Sequence, residues 1–599
     1  MTISKSNFMV ISITMVVILF LFQFSNLSTM YTSRATNNSS QKETAPITQE
    51  QTLTSSDLFS DISYSTAVIG DKKNIETQIA TEWCVYIKRY YCHYNDLQAL
   101  NENLSQHCKL VILNADVVNT KEDIHILAEM TKLGINIIFT SLPDTSIIES
   151  SQTLQKILGI KKVLSENFYT NGMTFFDGFL LGGKTTYHKL KKHIPYFELT
   201  SGTKAYAVGE MKNQTAKKVK NEELPPVIWR AYYDNSFVFS VNSDFFKDHT
   251  GLGMLTSMLS EMNEYFIYPI VNAQNIVCQN YPYLSNENSA EIQKRYYHST
   301  KSFCENVLWP DLAQILDSTG DKLTGMIAPK FEYSDSEEEI LADSVNYCFR
   351  QTEKISGEVG ISGDQMESKS FYTEKIDEDS ATLSELLPDY HFKVFSPGEM
   401  PESIYKQYVG NTQKDTVLSN IRTIVTQKEA DQRPVLSFYN NDILSMANTI
   451  DGFSHTDEED LYLRSIETAL GYSSASLDFS HVIYPTSMQD DWTKLSRNFS
   501  RYLTTYWAEF REVFDQVTVS DADTKARRFL SLTYNSFRQN NNITLSISDF
   551  QKEASFILNL SNERITSVSD GTFAEIEPNK FLVTATAKDV VIKVTADIE

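Results

Sequence analysis

Between residues 63 and 160 short β-rich runs alternate with helical periodicity, and this alternation limits the fold more than any other feature of the chain. Thr66–Ile69, Leu110–Leu113 (Leu-Val-Ile-Leu) and Ile135–Thr140 (Ile-Asn-Ile-Ile-Phe-Thr) are rich in strand-forming residues. Between the last two, Ile124, Leu127, Ala128, Met130 and Leu133 recur at helical spacing. A second helical stretch, Ile147–Leu158, stops at Gly159, a residue that can end a helix without steric penalty. A helix between two strands carries the chain back along the sheet, so successive strands run parallel. Residues 63–250 are therefore predicted to form an α/β domain on a parallel sheet, with Val227–Val241 as a hairpin turning at Asp234-Asn235.

The pattern changes after residue 250. Gly251–Tyr265 reads as a helix leading into a Tyr-Pro-Ile-Val-Asn strand. Up to residue 540 helices mix with short strands, among them Val394–Ser396, Pro434–Tyr439 and His481–Tyr484, which is compatible with a distorted β/α barrel. Asp335, Glu337, Glu338 and Glu339 read as a solvated helix start. From 541 to 599 apolar and polar residues alternate in Ile543–Ile547, Ser555–Leu560, Phe581–Thr586 and Val590–Val594. Turns fall at Asn562, Asp570-Gly571 and Lys588-Asp589, and a small antiparallel β-sandwich is expected.

The N-terminus carries an address. Phe8–Phe24 is almost uninterruptedly apolar, Lys5 precedes it, and with Leu27 as its end it reaches the roughly 20 residues that a membrane helix needs. The exit, Ser25-Asn-Leu-Ser-Thr-Met30, lacks a good small-x-small cleavage site, so residues 1–30 are expected to be an uncleaved signal anchor with the N-terminus inward. Residues 31–62, rich in Ser, Thr, Asn and Gln, would form a solvated stalk. The expected location is the cell membrane, single-pass, with the bulk of the chain outside the cytoplasm.

Charge narrows the partners. With 53 Lys and Arg against 77 Asp and Glu, the chain carries −24 at pH 7. Such a surface repels nucleic acid and anionic lipid and accepts a cationic polymer. Cys84, Cys92, Cys108, Cys278, Cys304 and Cys348 show no Cys-x-x-Cys spacing, so neither a metal knot nor a redox motif is indicated. Buried thiols or disulfides both fit an exported chain.

Familiar catalytic motifs are missing. There is no phosphate loop, and Gly182-Gly183 reads as a turn. Ser141 closes the third strand run, but no Gly-x-Ser-x-Gly or Gly-x-Cys-x-Gly elbow surrounds it. His298 near Glu305, and His481 near Asp478 and Asp490-Asp491, lack metal-ligand spacing and read as structural histidines. Asp490, Asp491 and Trp492 could present a tryptophan face to a sugar with acids beside it, or they could be a capped helix start. No local motif marks a pair of glycosidase carboxylates.

Tyr265–Pro282, preceded by Ser243-Asp-Phe-Phe and Gly251-Leu-Gly253, resembles the polysaccharide deacetylases of Pel-type exopolysaccharide systems, and most closely a membrane-anchored branch of that family. The likeness covers residues 65–599 by order of domains. It implies a flavodoxin-like, glutamine-amidotransferase-like domain, then a NodB-like deacetylase barrel over 251–540, then the sandwich. Active members of the family follow the strand with Asp-Asp-Phe-Pro, one aspartate being the general base and the other a metal ligand. Here Gln279, Asn280, Tyr281 and Pro282 stand in those places. The family's Gly-Leu-His-Gly-x-x-His loop corresponds to Gly360-Ile361-Ser362-Gly363-Asp364-Gln365-Met366, with Ser362 and Met366 in place of the metal-binding histidines.

A neutral amide takes up no proton near pH 7 and cannot serve as a general base. Two amides, a serine and a methionine do not make a zinc or cobalt site. The expectation is thus a deacetylase-like scaffold with no catalytic residue, metal or cofactor. It would bind or guide an exopolysaccharide, including a cationic one, through a remnant groove of Gln279, Asn280, Ser362, Asp364, Asp490, Asp491 and Trp492. Two alternatives remain at this stage: an active hydrolase or deacetylase with a relocated site, and a structural partner for proteins of a membrane synthesis complex.

Overall fold

The computed structural model describes residues 65–596 apart from 213–219, 282–287, 334–339, 366–370, 428–432, 441, 504–506, 508–509 and 511. The predicted anchor and stalk, the acidic run at 335–339, Pro282 and Met366 lie outside the described residues. Among those described, no helix is long and apolar enough to cross a membrane.

The alternation after residue 63 produces a nine-stranded sheet. Its parallel part runs Tyr91–Tyr94, Thr66–Ile69, Leu110–Leu113, Asn136–Phe139 and Ser236–Val241. The two inner strands Thr66–Ile69 and Leu110–Leu113 are buried throughout, as strands covered by helices on both faces must be. The helix Lys121–Lys132 starts at a capping box, in which Thr120 and Asp123 satisfy each other's backbone N–H. The sheet is mixed, because the predicted hairpin adds antiparallel strands to the expected parallel part. Beyond Ser236–Val241 the strands Pro226–Tyr233, Lys204–Gly209, Met173–Phe175 and Thr185–Tyr187 are antiparallel. The predicted hairpin is the hinge between the two parts, with Asp234 at φ 50 in its turn.

The second nine-stranded sheet is curled. Ala273–Tyr281, Leu323–Ile327, Glu358–Ser362, Val394–Ser396, Thr423–Thr426 and Leu444–Ala447 pair in parallel one after another. Tyr472–Asp478 lies parallel on the other side of Ala273–Tyr281. The run 444–451 pairs at its start with Thr423–Thr426 and at its end with Tyr472–Asp478, and Leu436–Phe438 adds an antiparallel edge strand to Leu444–Ala447. Val277, Met326, Val394 and Val425 come from four strands yet meet in one buried cluster with Val519, which identifies the concave face. Gly360 belongs to that face too, since a methyl group there would press on Met326 and Val394. The expected strand at His481–Tyr484 is a helical turn, Ser480–Ile483, because Asp478 accepts the Ser480 N–H and starts a turn that buries Val482 and Ile483.

Two four-stranded antiparallel sheets close the chain and enclose one apolar core. They begin at Thr533 and also take in Tyr265–Ile270, which pairs with Ala554–Leu560. The sheets therefore do not follow a division at residues 540 and 541. Asn272, at φ 59, turns the chain out of this layer, so the apolar stretch read as one strand is two strands in different sheets. All six cysteines are free thiols.

The three layers interlock through buried polar contacts. Tyr187 donates to Asp460 at 2.6 Å, Leu181 N–H donates to Thr468, and Gly182 N–H donates to Glu577. Gly182 and Gly183 both have positive φ and turn the chain at these contacts.

Candidate functional site: the polar mouth of the curled sheet

The inner face becomes polar at the carboxyl ends of the strands. Gln279 lies two residues beyond Val277, and Ser362 and Ser396 lie two beyond Gly360 and Val394, so all three face inward. Asp478 is the register partner of Gln279 and shares its face. Asn280 would point outward in a regular strand. Instead its φ is 56, the register shifts between Cys278 and Tyr281, and this bulge turns its side chain into the mouth.

There Asn280 becomes a hub. Its Nδ2 donates to Asp364 Oδ2 and Asp478 Oδ1, each at 3.0 Å, while Ser362 Oγ donates to its Oδ1 at 2.7 Å. Ionised carboxylates only accept hydrogen bonds, so the NH2 side of the amide must face them. Asp364 also accepts the Glu399 N–H at 2.9 Å, and Asp478 Oδ1 accepts the Ser480 N–H at 2.9 Å. Burial pushes the Asp364 carboxyl above the ordinary range, against the Glu399 and Asn280 hydrogen bonds that pull it down. Nearby, Lys375 is committed to Asp379 at 2.8 Å and Tyr333 at 3.1 Å. Neither Asp364 nor Asp478 forms an ion pair with Lys, Arg or His among the described residues. Gln279 is 1% exposed, and both of its amide atoms are buried without a partner among the described residues.

The resemblance implies a metal ion at such a mouth, and the residues present do not fit one. A cation between Asp364 and Asp478 would meet the N–H hydrogens of Asn280. Among the described residues no three His, Cys, Asp or Glu side chains converge as a metal-holding group.

The structure brings Gln279, Asn280, Ser362 and Asp364 together and leaves the other three expected residues elsewhere. Trp492 is 1% exposed, packs against Phe453 and Phe479, and donates from Nε1 to Asp311 at 3.0 Å. It is a core residue, so the expectation that it stacks on a sugar is corrected. Asp491 caps the helix Trp492–Tyr502 through Thr493 N–H, and Asp490 binds the backbone N–H groups of Thr486 and Ser487. Both carboxylates are thus spent on local backbone. Ser141 donates to Glu76 at 2.8 Å and accepts from Ala115 N–H, and His298 contacts Ser302 at 2.9 Å.

Asp478 is the residue that sequence reasoning left out of the groove. Its signal was the inward series Ser474, Ser476, Asp478, a run of small polar residues ending in an acid at a strand terminus. Gly398 was also unremarked. It has φ 55, and any side chain there would run into the Asp364 carboxylate.

Fold and site together define an α/β protein with a polar mouth at the carboxyl ends of a curled parallel sheet, flanked by a mixed sheet and by antiparallel sheets. The chain belongs to the bacterial family described as "Uncharacterised protein conserved in bacteria (DUF2194)", whose model matches residues 197–582. No curated protein sequence matches it. Among solved structures, the carbohydrate deacetylase Agd3 aligns with a TM-score of 0.46 at 8% identity, over 89% of this chain and 99% of its own. A ThuA-like protein from Bacteroides uniformis ATCC 8492 aligns at 0.24 and 13% identity, over 34% of this chain and 91% of its own. A β-galactosidase from Bacillus circulans sp. alkalophilus aligns at 0.24 and 11% identity, over 35% and 34%.

Proposed function

We propose that this protein is a membrane-anchored, extracytoplasmic glycan-binding protein on a deacetylase-like scaffold, in which a flavodoxin-like domain and a NodB-like barrel are kept and the deacetylation chemistry is lost. It would hold or guide an exopolysaccharide during synthesis or export.

The observation that carries this reading is the place of Asn280. Its neutral amide stands where the resemblance puts an acid, and it hydrogen-bonds both carboxylates of the mouth. Gln279 beside it is equally unable to take up a proton. What remains is a set of polar side chains at strand ends, a usual place for a ligand in α/β sheets.

The test pairs two assays on one sample. The full chain in detergent is incubated with acetylated aminosugar oligomers, with zinc, cobalt or nickel supplied and with a chelator control, and released acetate is measured. Binding of the same oligomers is then measured by calorimetry. Binding without acetate release supports the proposal. Metal-dependent release overturns it.

A further inference from the structure

We infer that the mouth recognises the primary ammonium group of a deacetylated aminosugar unit, seated between Asp364, Asp478 and the Gln279 amide, an inference that rests on the glycan-binding reading above.

The mouth holds two carboxylates that pair with no Lys, Arg or His among the described residues. Asp364 and Asp478 share one neutral NH2 group, and their remaining partners are backbone N–H groups. Hydrogen bonds from an amide orient carboxylates but leave their charge in place, and two partly buried carboxylates side by side are unfavourable without a counter-charge. Lys375 acts on Asp364 only from a distance, because Asp379 and Tyr333 hold its ammonium.

Gln279 is the independent sign of a guest. A buried amide with neither atom bonded is costly, at about 1–3 kcal/mol for each unsatisfied group. Gln279 faces the concave side next to Asp478, so its buried amide is aimed into the mouth. Its Oε1 accepts and its Nε2 donates.

A primary ammonium group matches this set of acceptors. It has three N–H donors and one positive charge. The acceptors available to it are Asp478 Oδ2, which no described residue uses, the open lone pairs of Asp364, and Gln279 Oε1. Gln279 Nε2 is left to donate to a sugar oxygen. An acetamido group matches poorly: it has one N–H, no charge, and a carbonyl oxygen that the carboxylates repel. A divalent metal ion matches poorly as well, because the Asn280 hydrogens face the space between the two acids.

The experiment uses the full chain in detergent and two probes, a glucosamine pentamer and the N-acetylglucosamine pentamer of the same linkage. Calorimetric titration at about pH 6 in roughly 0.15 M salt suppresses long-range attraction to the acidic surface. The amine probe should bind at least about tenfold more tightly. Asp478→Asn should bring the two probes within about twofold of each other. Raising the pH to about 9 discharges the amine and should erase the preference in the unmutated protein, so the result does not hang on one variant's folding. Equal affinities for both probes at the lower pH overturn the ammonium inference and leave glycan binding standing. A preference that survives in Asp478→Asn assigns it to general surface charge and also overturns the inference. Binding of neither probe overturns this inference and the glycan-binding reading together. If calcium or manganese chloride alone raises the unfolding temperature, and Asp478→Asn abolishes that rise, the mouth is a cation site and the inference falls.

Discussion

Asn280 and Asp478 come from neighbouring parallel strands, and the Asn280 Nδ2 lies 3.0 Å from the Asp478 Oδ1 only because a bulge gives Asn280 a φ of 56. The same amide reaches Asp364 on the opposite side of the mouth. One neutral side chain therefore holds two acids in place.

This relationship predicts that Asn280→Asp, which puts an acid in place of the bridging amide, destabilises the protein. It removes two hydrogen-bond donations to carboxylates and puts a third negative charge between them, and about 3 kcal/mol is expected at neutral pH. Crowded acids bind protons more tightly in the folded state, so stability should recover as the pH falls toward about 5. Urea unfolding of both proteins at the two pH values checks this, and an unchanged midpoint would show that Asn280 does not bridge the acids.

A second prediction concerns Glu467, which is fully buried at the amino ends of the strands Ala273–Tyr281 and Tyr472–Asp478, away from the mouth. Gln274 Nε2 and Ser473 Oγ both donate to its Oε1, at 2.7 and 2.9 Å. Burial pushes its carboxyl up to about 8, against those hydrogen bonds. A raised carboxyl is protonated in the folded chain while the unfolded chain has released the proton. Its contribution to stability is present below the unfolded value, and it declines as pH rises from there through about 8. The slope for one such group is about 1.4 kcal/mol per pH unit. Glu467→Gln keeps an acceptor for both donors and removes the titration. Its stability should fall less steeply between about pH 5 and 8, as read from denaturant midpoints across that range.

Trp492→Ala should act on stability. The indole is enclosed by Phe453 and Phe479 and bonded to Asp311, and emptying such a site costs about 3–5 kcal/mol. Glycan affinity of the remaining folded protein should change by less than about twofold, since the ring does not reach solvent. A selective loss of affinity with normal stability would return Trp492 to the binding surface.

Gly398→Ala should do the reverse. Gly398 has φ 55, and a methyl group there runs into the Asp364 carboxylate. The left-handed conformation itself costs an alanine about 1 kcal/mol. The larger effect should be on binding, because Asp364 must move and its hydrogen bonds to Asn280 and Glu399 N–H must lengthen. A fall of at least about tenfold in glycan affinity, with most of the stability kept, is expected from titration and thermal unfolding.

Local signals made much of the fold legible. The strands Thr66–Ile69 and Leu110–Leu113, the helix carrying Ile124, Leu127 and Met130, the hairpin at Asp234 and the alternation of the C-terminal strands all follow from periodicity and turn chemistry within a few residues. Pairing across distance was not legible. Tyr265–Ile270 and Ala273–Tyr281 are contiguous and both apolar, yet one pairs with Ala554–Leu560 and the other with Tyr472–Asp478. In the first sheet the hairpin was legible, but the antiparallel strands Lys204–Gly209, Met173–Phe175 and Thr185–Tyr187 were not. Trp492 shows the limit from the other side, since a tryptophan beside two acids reads alike whether its ring faces water or Phe479.

The sequence alone determined that positions 279 and 280 offer no general base, because Gln279 and Asn280 are amides in any fold. It also determined the order of strand and helix segments, through patterns that repeat every two or about 3.6 residues. Only the tertiary structure decided that Asp364 and Asp478, which are far apart in sequence, share the Asn280 amide, and that Asp490, Asp491 and Trp492 lie outside the mouth. A hydrogen bond between distant residues depends on strand register and on one bulge, and both are set by packing of the whole curled sheet rather than by neighbours along the chain.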